Sequence, residues 1–320
     1  MKKLYMFLAC FLIITGCSSS GGGVTDSSGG GGGGGGSNDY TSIYIGTLKY
    51  VPAGSFQRDG YNSNLNISTI TTAFRMSKYE ITMEQFVDVT GLENPSSDFT
   101  EVVNGPVQYV NWYHTLVFCN KLSMAEGLTP VYTISGSTDP ADWGAVPTLS
   151  DATWDAAIAN WSANGYRLPT EMEWEWAAMG ATSGFGNHTG GIFTNGYLKE
   201  FAGDPNPATN VDLIGFYAWY DINSSATTHT VGTTPYGNEL GIYDMSGNVW
   251  EWCWDKWDGS ADYPPGALDN NTYRDLTSGV GSVVRGGSWY SHASVSTVDH
   301  RGFSVTNMRN DLIGFRVVRN

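Results

Sequence analysis

Basic residues are scarce in this 320-residue chain: 16 Lys and Arg stand against 31 Asp and Glu, a formal charge of −15. Phosphate backbones and anionic headgroups repel so acidic a surface, which excludes nucleic acid as a partner and membrane attachment through charge. The five histidines, at 114, 188, 229, 292 and 300, include no pair at helical spacing, so a zinc or iron centre of the His-x-x-x-His kind is excluded. No Gly-x-Ser-x-Gly elbow occurs, which removes the common serine-hydrolase arrangement. Cysteine is also rare, with four in the whole chain.

The N-terminus accounts for two of those four. Lys2-Lys3, an apolar run from Leu4 to Ile14 and then Ile14-Thr15-Gly16-Cys17 match a bacterial lipoprotein signal and its lipobox. The run is too short to cross a bilayer comfortably. Cys10 is expected to leave with the signal (residues 1–17), and Cys17 to become the lipidated, palmitate-bearing N-terminus. Residues 18–40 are mostly Gly and Ser, a tether whose r.m.s. reach is on the order of 25 Å. No strand precedes this Gly run and no Gly-Lys-Ser/Thr closes it, so it is no phosphate-binding loop. The expected location is the bacterial cell envelope, lipid-anchored on the outer membrane and surface-exposed. Without the signal, 14 basic residues face 31 acidic ones, so the lipid itself must provide the attachment.

Residues 41–320 carry no second linker and no internal repeat, which predicts one domain with one sizeable core. Ile43 to Val51 and Phe74 to Ile81 read as strands. Thr82-Met-Glu-Gln85 reads as a capping box opening a helix, Trp112 to Ala125 as a second helix and Thr170 to Ala178, after Pro169, as a third. Cys119 falls on the second helix at an apolar position and is expected to be a buried thiol, with a bridge to Cys253 left open. Glu171, Glu173 and Glu175 diverge by about 200° from one to the next and cannot hold one ion. Helix-start electrostatics is the expected reason for them.

The last part of the chain is a frame around an unpatterned filling. Arg285-Gly-Gly-Ser-Trp289 offers positive φ and a large anchor, and Ile313-Gly-Phe-Arg316 with Val317-Val318 reads as a closing strand. Together with Gly165-Tyr-Arg-Leu-Pro-Thr-Glu-Met-Glu-Trp-Glu-Trp-Ala-Ala178, Gly241-Ile-Tyr-Asp-Met-Ser-Gly-Asn-Val-Trp-Glu-Trp252 and Pro106-Val-Gln-Tyr-Val-Asn-Trp112, this resembles the formylglycine-generating enzyme (sulfatase-modifying factor) domain family, across residues 44–319. The resemblance implies an α+β fold of the C-type-lectin type, with little regular secondary structure and long loops. Enzymes of that family oxidise a substrate cysteine with two thiols of their own, five residues apart after the Gly-Gly-Ser-aromatic motif. Ser291 and Ser296 stand there in this chain. A neutral hydroxyl is neither a thiolate nucleophile nor a soft copper ligand, so neither copper nor the family's oxidation is expected.

The same resemblance implies a structural calcium ion in Asp244-Met-Ser-Gly-Asn-Val-Trp-Glu251, with Asp244, the carbonyls of Gly247 and Val249, and Glu251 as ligands. Calcium favours six to eight hard oxygens, main-chain carbonyls included. The alternative is that Glu251 simply bonds inside the core. Asp221 and Asn223 are weaker candidates for a second ion.

Within the family, the chain resembles the variable lipoproteins served by diversity-generating retroelements, whose corresponding segment is rewritten at adenines, mostly in Asn codons. Such rewriting excludes Trp, Met, Lys, Gln and Glu, and Met308 is the sole member of that set within 290–312. The segment's aromatic and small polar residues suit recognition as in antibody loops. The expected contacts are Tyr290, Ser291, His292, Ser294, Ser296, Asp299, His300, Phe303, Ser304, Asn307, Asn310 and Asp311, with Arg301 and Arg309 bracing the loop. The chain reads as a non-catalytic, lipid-anchored binding protein for a protein or glycan ligand on another cell. The alternatives are an enzyme with a rebuilt site and a structural component of an envelope complex.

Overall fold

Three helices begin where side chains close their first turns. In a computed structural model, which describes residues 38–58, 67–181, 201–203, 211–257, 259, 267–270 and 281–320, Thr82 and Gln85 form the reciprocal cap that opens helix α1 (Met83–Thr90). Gly91, in the left-handed conformation, ends it. Asn111 and His114 cap α2 (Trp112–Ala125) in the same way. A short helix, α3 (Ala152–Asp155), follows, and Thr170 with Glu173 caps α4 (Glu171–Ala178). Cys17 and residues 18–37 of the expected tether lie outside the described residues, whereas Asp39 is bonded to Lys49 and Tyr40 already belongs to a strand. Residues 38–320 fall in one compact unit. Among the described residues no helix is long and apolar enough to cross a membrane.

The strands are short and form several small sheets. One has the order β1 (Tyr40–Ser42), β2 (Gly46–Val51), β5 (Phe74–Ser77) and β13 (Val318–Arg319), all antiparallel, so the two ends of the domain pair in one sheet. A second has β11 (Arg301–Ser304), β10 (Ser282–Arg285), β8 (Trp250–Lys256) and β12 (Ile313–Gly314), with β12 parallel to β8. A third joins β3 (Gly54–Gln57), β4 (Ile67–Ile70) and β9 (Leu268–Asp269), and β6 (Tyr132–Thr133) pairs with β7 (Ile158–Ala159).

Three sequence expectations change here. The strand expected over Ile43–Val51 begins only at Gly46 (φ 74°), because residues 43–45 form the turn of the β1–β2 hairpin, with Ile43 87% exposed. The strand begun at Phe74 stops at Ser77. The closing strand is broken into β12 and β13, and Arg316 between them turns its side chain into the core. Cys119 and Cys253 are both buried and both free, so no bridge joins them.

Indoles knit the core. Trp112, Trp174, Trp176 and Trp252 are fully buried, and each N–H finds an acceptor: the Cys253 carbonyl, Glu251, the Pro52 carbonyl and the Val110 carbonyl respectively. Trp112 and Trp252 thereby tie the start of α2 to β8 from both sides. A buried indole left without an acceptor would cost about 1–3 kcal/mol, so these bonds also fix how the rings pack.

The three glutamates of α4 do more than favour the helix start, the sole role expected of them. All are buried, and each meets arginine. Glu171 takes both Nε and Nη2 of Arg301 at 2.8 Å and lies 3.2 Å from Nε of Arg285. Glu175 takes Nη2 of Arg285, and Glu173 takes both Nη1 and Nη2 of Arg167 at 2.6 and 2.9 Å. The helical divergence is real, since Glu173 faces one guanidinium while Glu171 and Glu175, one turn apart, share another.

Asp255 adds a carboxyl to this cluster. It is buried, one oxygen accepts the Glu171 amide at 2.6 Å and the other has no partner among the described residues. Burial first, and then the charge of Glu171, push its pKa up from 3.8 to about 7. The folded protein thus holds a proton that the unfolded chain releases near pH 4, and stability falls as pH rises from about 4 through 7. The melting temperature is expected to be several degrees lower at pH 8 than at pH 5. Asp255→Asn should remove part of that fall, read by calorimetry across the pH series; a slope unchanged in the variant would contradict this role for Asp255.

Candidate functional site

The segment 290–312 leaves β10 through Gly286 and Gly287, both at positive φ (96° and 77°). A Cβ on Gly287 would overlap the Ser296 side chain, which is why glycine is needed there. Trp289 is buried, donates its N–H to the Asp311 carbonyl at 3.1 Å, and packs edge-on against Phe99 at 5.2 Å. The segment's two ends are thereby closed on each other.

Its middle is braced from inside. Nη1 of Arg285 donates to the carbonyls of Val298 and His300 at 3.2 and 2.6 Å. Arg301 is held by Glu171 and lies over the Trp257 ring, and Arg309 donates Nε to the Tyr109 carbonyl at 2.8 Å. Both arginines brace the loop as expected. Thr306 is buried and gives its hydroxyl to Asp155 at 2.7 Å.

Of the expected contact residues, Tyr290, His292, Ser294 and Phe303 are exposed. Tyr290 is 68% exposed, tilted against Trp289, and Phe303 stacks on Trp257 at 4.9 Å. His292 is open to solvent with Nδ1 against the Asp221 carboxylate. Ser291, Asp299, His300, Ser304, Asn307, Asn310 and Asp311 are half-buried. The Ser291 hydroxyl accepts the Ser288 amide at 3.0 Å and sits 3.1 Å from the Ser288 hydroxyl. His300 packs on Trp250 at 5.9 Å, and burial together with Arg285 lowers its pKa. The Asn310 side chain accepts the Leu312 amide at 3.1 Å, a local turn bond.

Ser296 is the correction. It was expected as a contact residue, yet it is fully buried, packed under Gly287 with its hydroxyl turned to the His292 carbonyl. Val305 and Met308, absent from the expected set, are 41% and 40% exposed. The signal for Val305 was available: it follows Phe303 by two residues on an extended chain and so shares its side.

The expected calcium loop has the tight turn foreseen for it, with Asp244, Gly247 and Asn248 all at positive φ. Its acids are arranged otherwise than the resemblance implies. Glu251 is buried and gives both oxygens to Arg316, at 2.6 and 2.7 Å, while also accepting from Trp174 at 2.7 Å. It serves as the counter-ion of Arg316. Asp244 is buried with one oxygen on the Gly232 amide and the other, Oδ1, without a partner among the described residues. Glu80, missed in the sequence, is buried alongside and accepts from the Asn248 side chain and the Val249 amide. Burial, then the charges of Asp244 and Glu251, push the Glu80 pKa well up, and burial raises that of Asp244 to about 6. Three carboxylates thus surround one guanidinium. That surplus and the orphaned Oδ1 fit a cation at Asp244; Glu251, matched to Arg316, fits a ligand role poorly. Among the described residues no three His, Cys, Asp or Glu side chains are grouped to hold one ion.

The site separates rigid from replaceable positions. Gly287→Ala and Ser296→Asn are each expected to destabilise by about 1–3 kcal/mol through overlap and strain. His292→Ala and Ser294→Ala should stay within about 0.5 kcal/mol. Urea unfolding of the four variants checks this, and equal losses in both pairs would refute the separation.

Comparison with known proteins follows the same geometry. A family model described as the sulfatase-modifying factor enzyme 1-like domain matches residues 45–320. Chaperone protein LppX of Paenibacillus barcinonensis is 35% identical over 284 residues, 85% of this chain and 89% of that one. Inactive C-alpha-formylglycine-generating enzyme 2 of Mus musculus is 32% identical over 174 residues, 51% of this chain and 46% of its own length. Among solved structures, Treponema denticola variable protein 1 superposes with a TM-score of 0.74 at 32% identity, over 88% of this chain and 99% of that one. PvdO from Pseudomonas aeruginosa shares the fold at 19% identity and a TM-score of 0.58, over 89% of this chain and 98% of its own.

Proposed function

Because the chain belongs to the sulfatase-modifying factor enzyme 1-like domain family and carries Ser291 and Ser296 where that family's enzymes place their thiols, we propose that it is a non-catalytic binding protein displaying residues 290–312 as its ligand surface. One observation carries this reading. The segment's backbone is tied down at Trp289, Val298, His300, Arg301 and Thr306, while Tyr290, His292, Ser294, Phe303, Val305 and Met308 face solvent. A fixed backbone with free side chains lets recognition change without refolding, as a diversified surface requires. Oxidative chemistry has no support in the serine pair: one hydroxyl is bonded to Ser288 and the other is buried, and neither is a soft ligand for copper.

The ligand class is a protein or glycan on another cell, met at the outer surface of the cell envelope. Cys17 carries the lipid that holds the domain there, and residues 18–40 give it reach. The acidic charge speaks against nucleic acid. Calcium is proposed as a structural ion resting on Asp244 and the Gly247 and Val249 carbonyls, where it would neutralise the carboxylate surplus around Arg316.

Two measurements decide these points. Sequencing alleles of the gene should show variation concentrated at the exposed positions 290, 292, 294, 303 and 305, with 296, 301 and 306 constant; a segment uniform across alleles would overturn the diversified reading. Chelator should lower the melting temperature by a few degrees and Asp244→Ala should abolish that shift, whereas a melting temperature indifferent to chelator would remove calcium from the account.

A further inference from the structure

Beside Trp289, residues from three separate stretches of chain meet. Phe99 and Tyr109 come from the loop between α1 and α2, Trp289 and Tyr290 from the start of the variable segment, and Asp311 from its end. Phe99 and Tyr109 both stand at positive φ, 55° and 58°, which bulky side chains rarely adopt. The loop that holds them is therefore fixed by its surroundings: the Tyr109 amide donates to Asn310 and its carbonyl accepts from Arg309. Phe99 packs edge-on against Trp289, and Trp289 in turn against Tyr290.

The polar groups around these rings are acceptors in surplus. Asp98 is exposed, and its carboxylate accepts from the Tyr109 hydroxyl at 2.8 Å. Asp311 uses its carbonyl for Trp289, and both carboxylates act electrostatically on Tyr109. Gln108 is fully buried and gives its amide N–H to the Asp98 carbonyl, leaving its own Oε1 without a donor among the described residues. Exposed Glu101 adds a further negative charge to the same loop. The nearby cation, Arg309, is turned toward the Tyr109 backbone and toward buried His114, whose ionisation it opposes. Among the described residues, neither Asp98 nor Asp311 has a basic ion-pair partner.

We propose that this patch is a subsite for a cationic side chain, lysine or arginine, presented by a protein partner; the inference rests on the binding reading above and selects a basic protein segment over a glycan as the ligand. The carboxylates of Asp98 and Asp311 supply charge, and the rings of Tyr109 and Tyr290 supply faces for the cation. The chain uses the same chemistry internally, where the Arg319 guanidinium lies 4.4 Å from the Tyr40 ring centre. Tyr290 and Asp311 lie within the variable segment whereas Asp98, Phe99 and Tyr109 lie outside it, so the subsite joins changeable residues to fixed ones. A repertoire built here would keep a common preference for basic partners.

Fluorescein-labelled pentalysine, titrated by polarisation at physiological salt, tests the subsite. The wild-type domain should bind it saturably and ignore pentaglutamine. The double variant Asp98→Asn/Asp311→Asn should weaken binding at least tenfold, and Tyr290→Ser several-fold. Asp139→Asn/Asp142→Asn, which removes the same charge elsewhere, should change it less than twofold. Melting temperatures confirm that each variant is folded. Absence of saturable binding by the wild type, or equal losses in the two double variants, would overturn the proposal. Failure here with allele variation intact rejects the cationic subsite alone, while intact peptide binding with invariant alleles rejects the diversified surface alone.

Discussion

Buried charge is the constraint on which the rest of this structure depends. A helix of eight residues, α4, places three carboxylates inside the protein, and they are tolerable there because arginines from distant parts of the chain reach them: Arg167 just before the helix, Arg285 on β10 and Arg301 on β11. Removing one partner of such a pair costs about 3–5 kcal/mol, because the other charge is left buried and alone. The geometry is therefore held jointly. If α4 moves, β10 and β11 must move with it, and so must the segment that hangs between them.

A second centre of the same kind lies where Glu251 meets Arg316. Arg316 also donates to the Ser77 and Tyr243 carbonyls, so it joins the sheet containing both ends of the domain to the turn at Asp244. The two centres share a design: a guanidinium satisfied by carboxylate on one side and by main-chain oxygens on the other. Arg285 does the same with the Val298 and His300 carbonyls. This is how a fold with short strands and long loops stays ordered, since guanidinium forks supply the hydrogen bonds that longer sheets would otherwise provide.

Local features were legible in the sequence. The cap at Thr82 could be read because a capping box lies within four residues, the second helix because its apolar spacing suits one, and the third because Pro169 and first-turn acids mark its start. The fold itself was legible through motif order, not through periodicity. What escaped reading depends on partners far along the chain. Nothing near Glu171 announces Arg301, 130 residues away, and nothing near Ser296 announces that Gly287 will cover it. The role of Glu80 was hidden for the same reason: its carboxylate meets Asn248 across 168 residues. The segment proposed for contact was delimited by its frame, yet which of its residues face outward is set by β11 pairing with β10 and by Thr306 turning in to Asp155.

The contact between Gly287 and Ser296 has a further meaning for inheritance. A mutator that acts on codons cannot sense burial, and any enlargement at position 296 presses on a backbone that already stands at positive φ. Each such change costs about 1–3 kcal/mol of stability whatever it does for binding. The yield of a diversifying system built on this fold is therefore set by codon choice at its buried positions, and selection should act there on synonymous sites, favouring serine codons with no adenine.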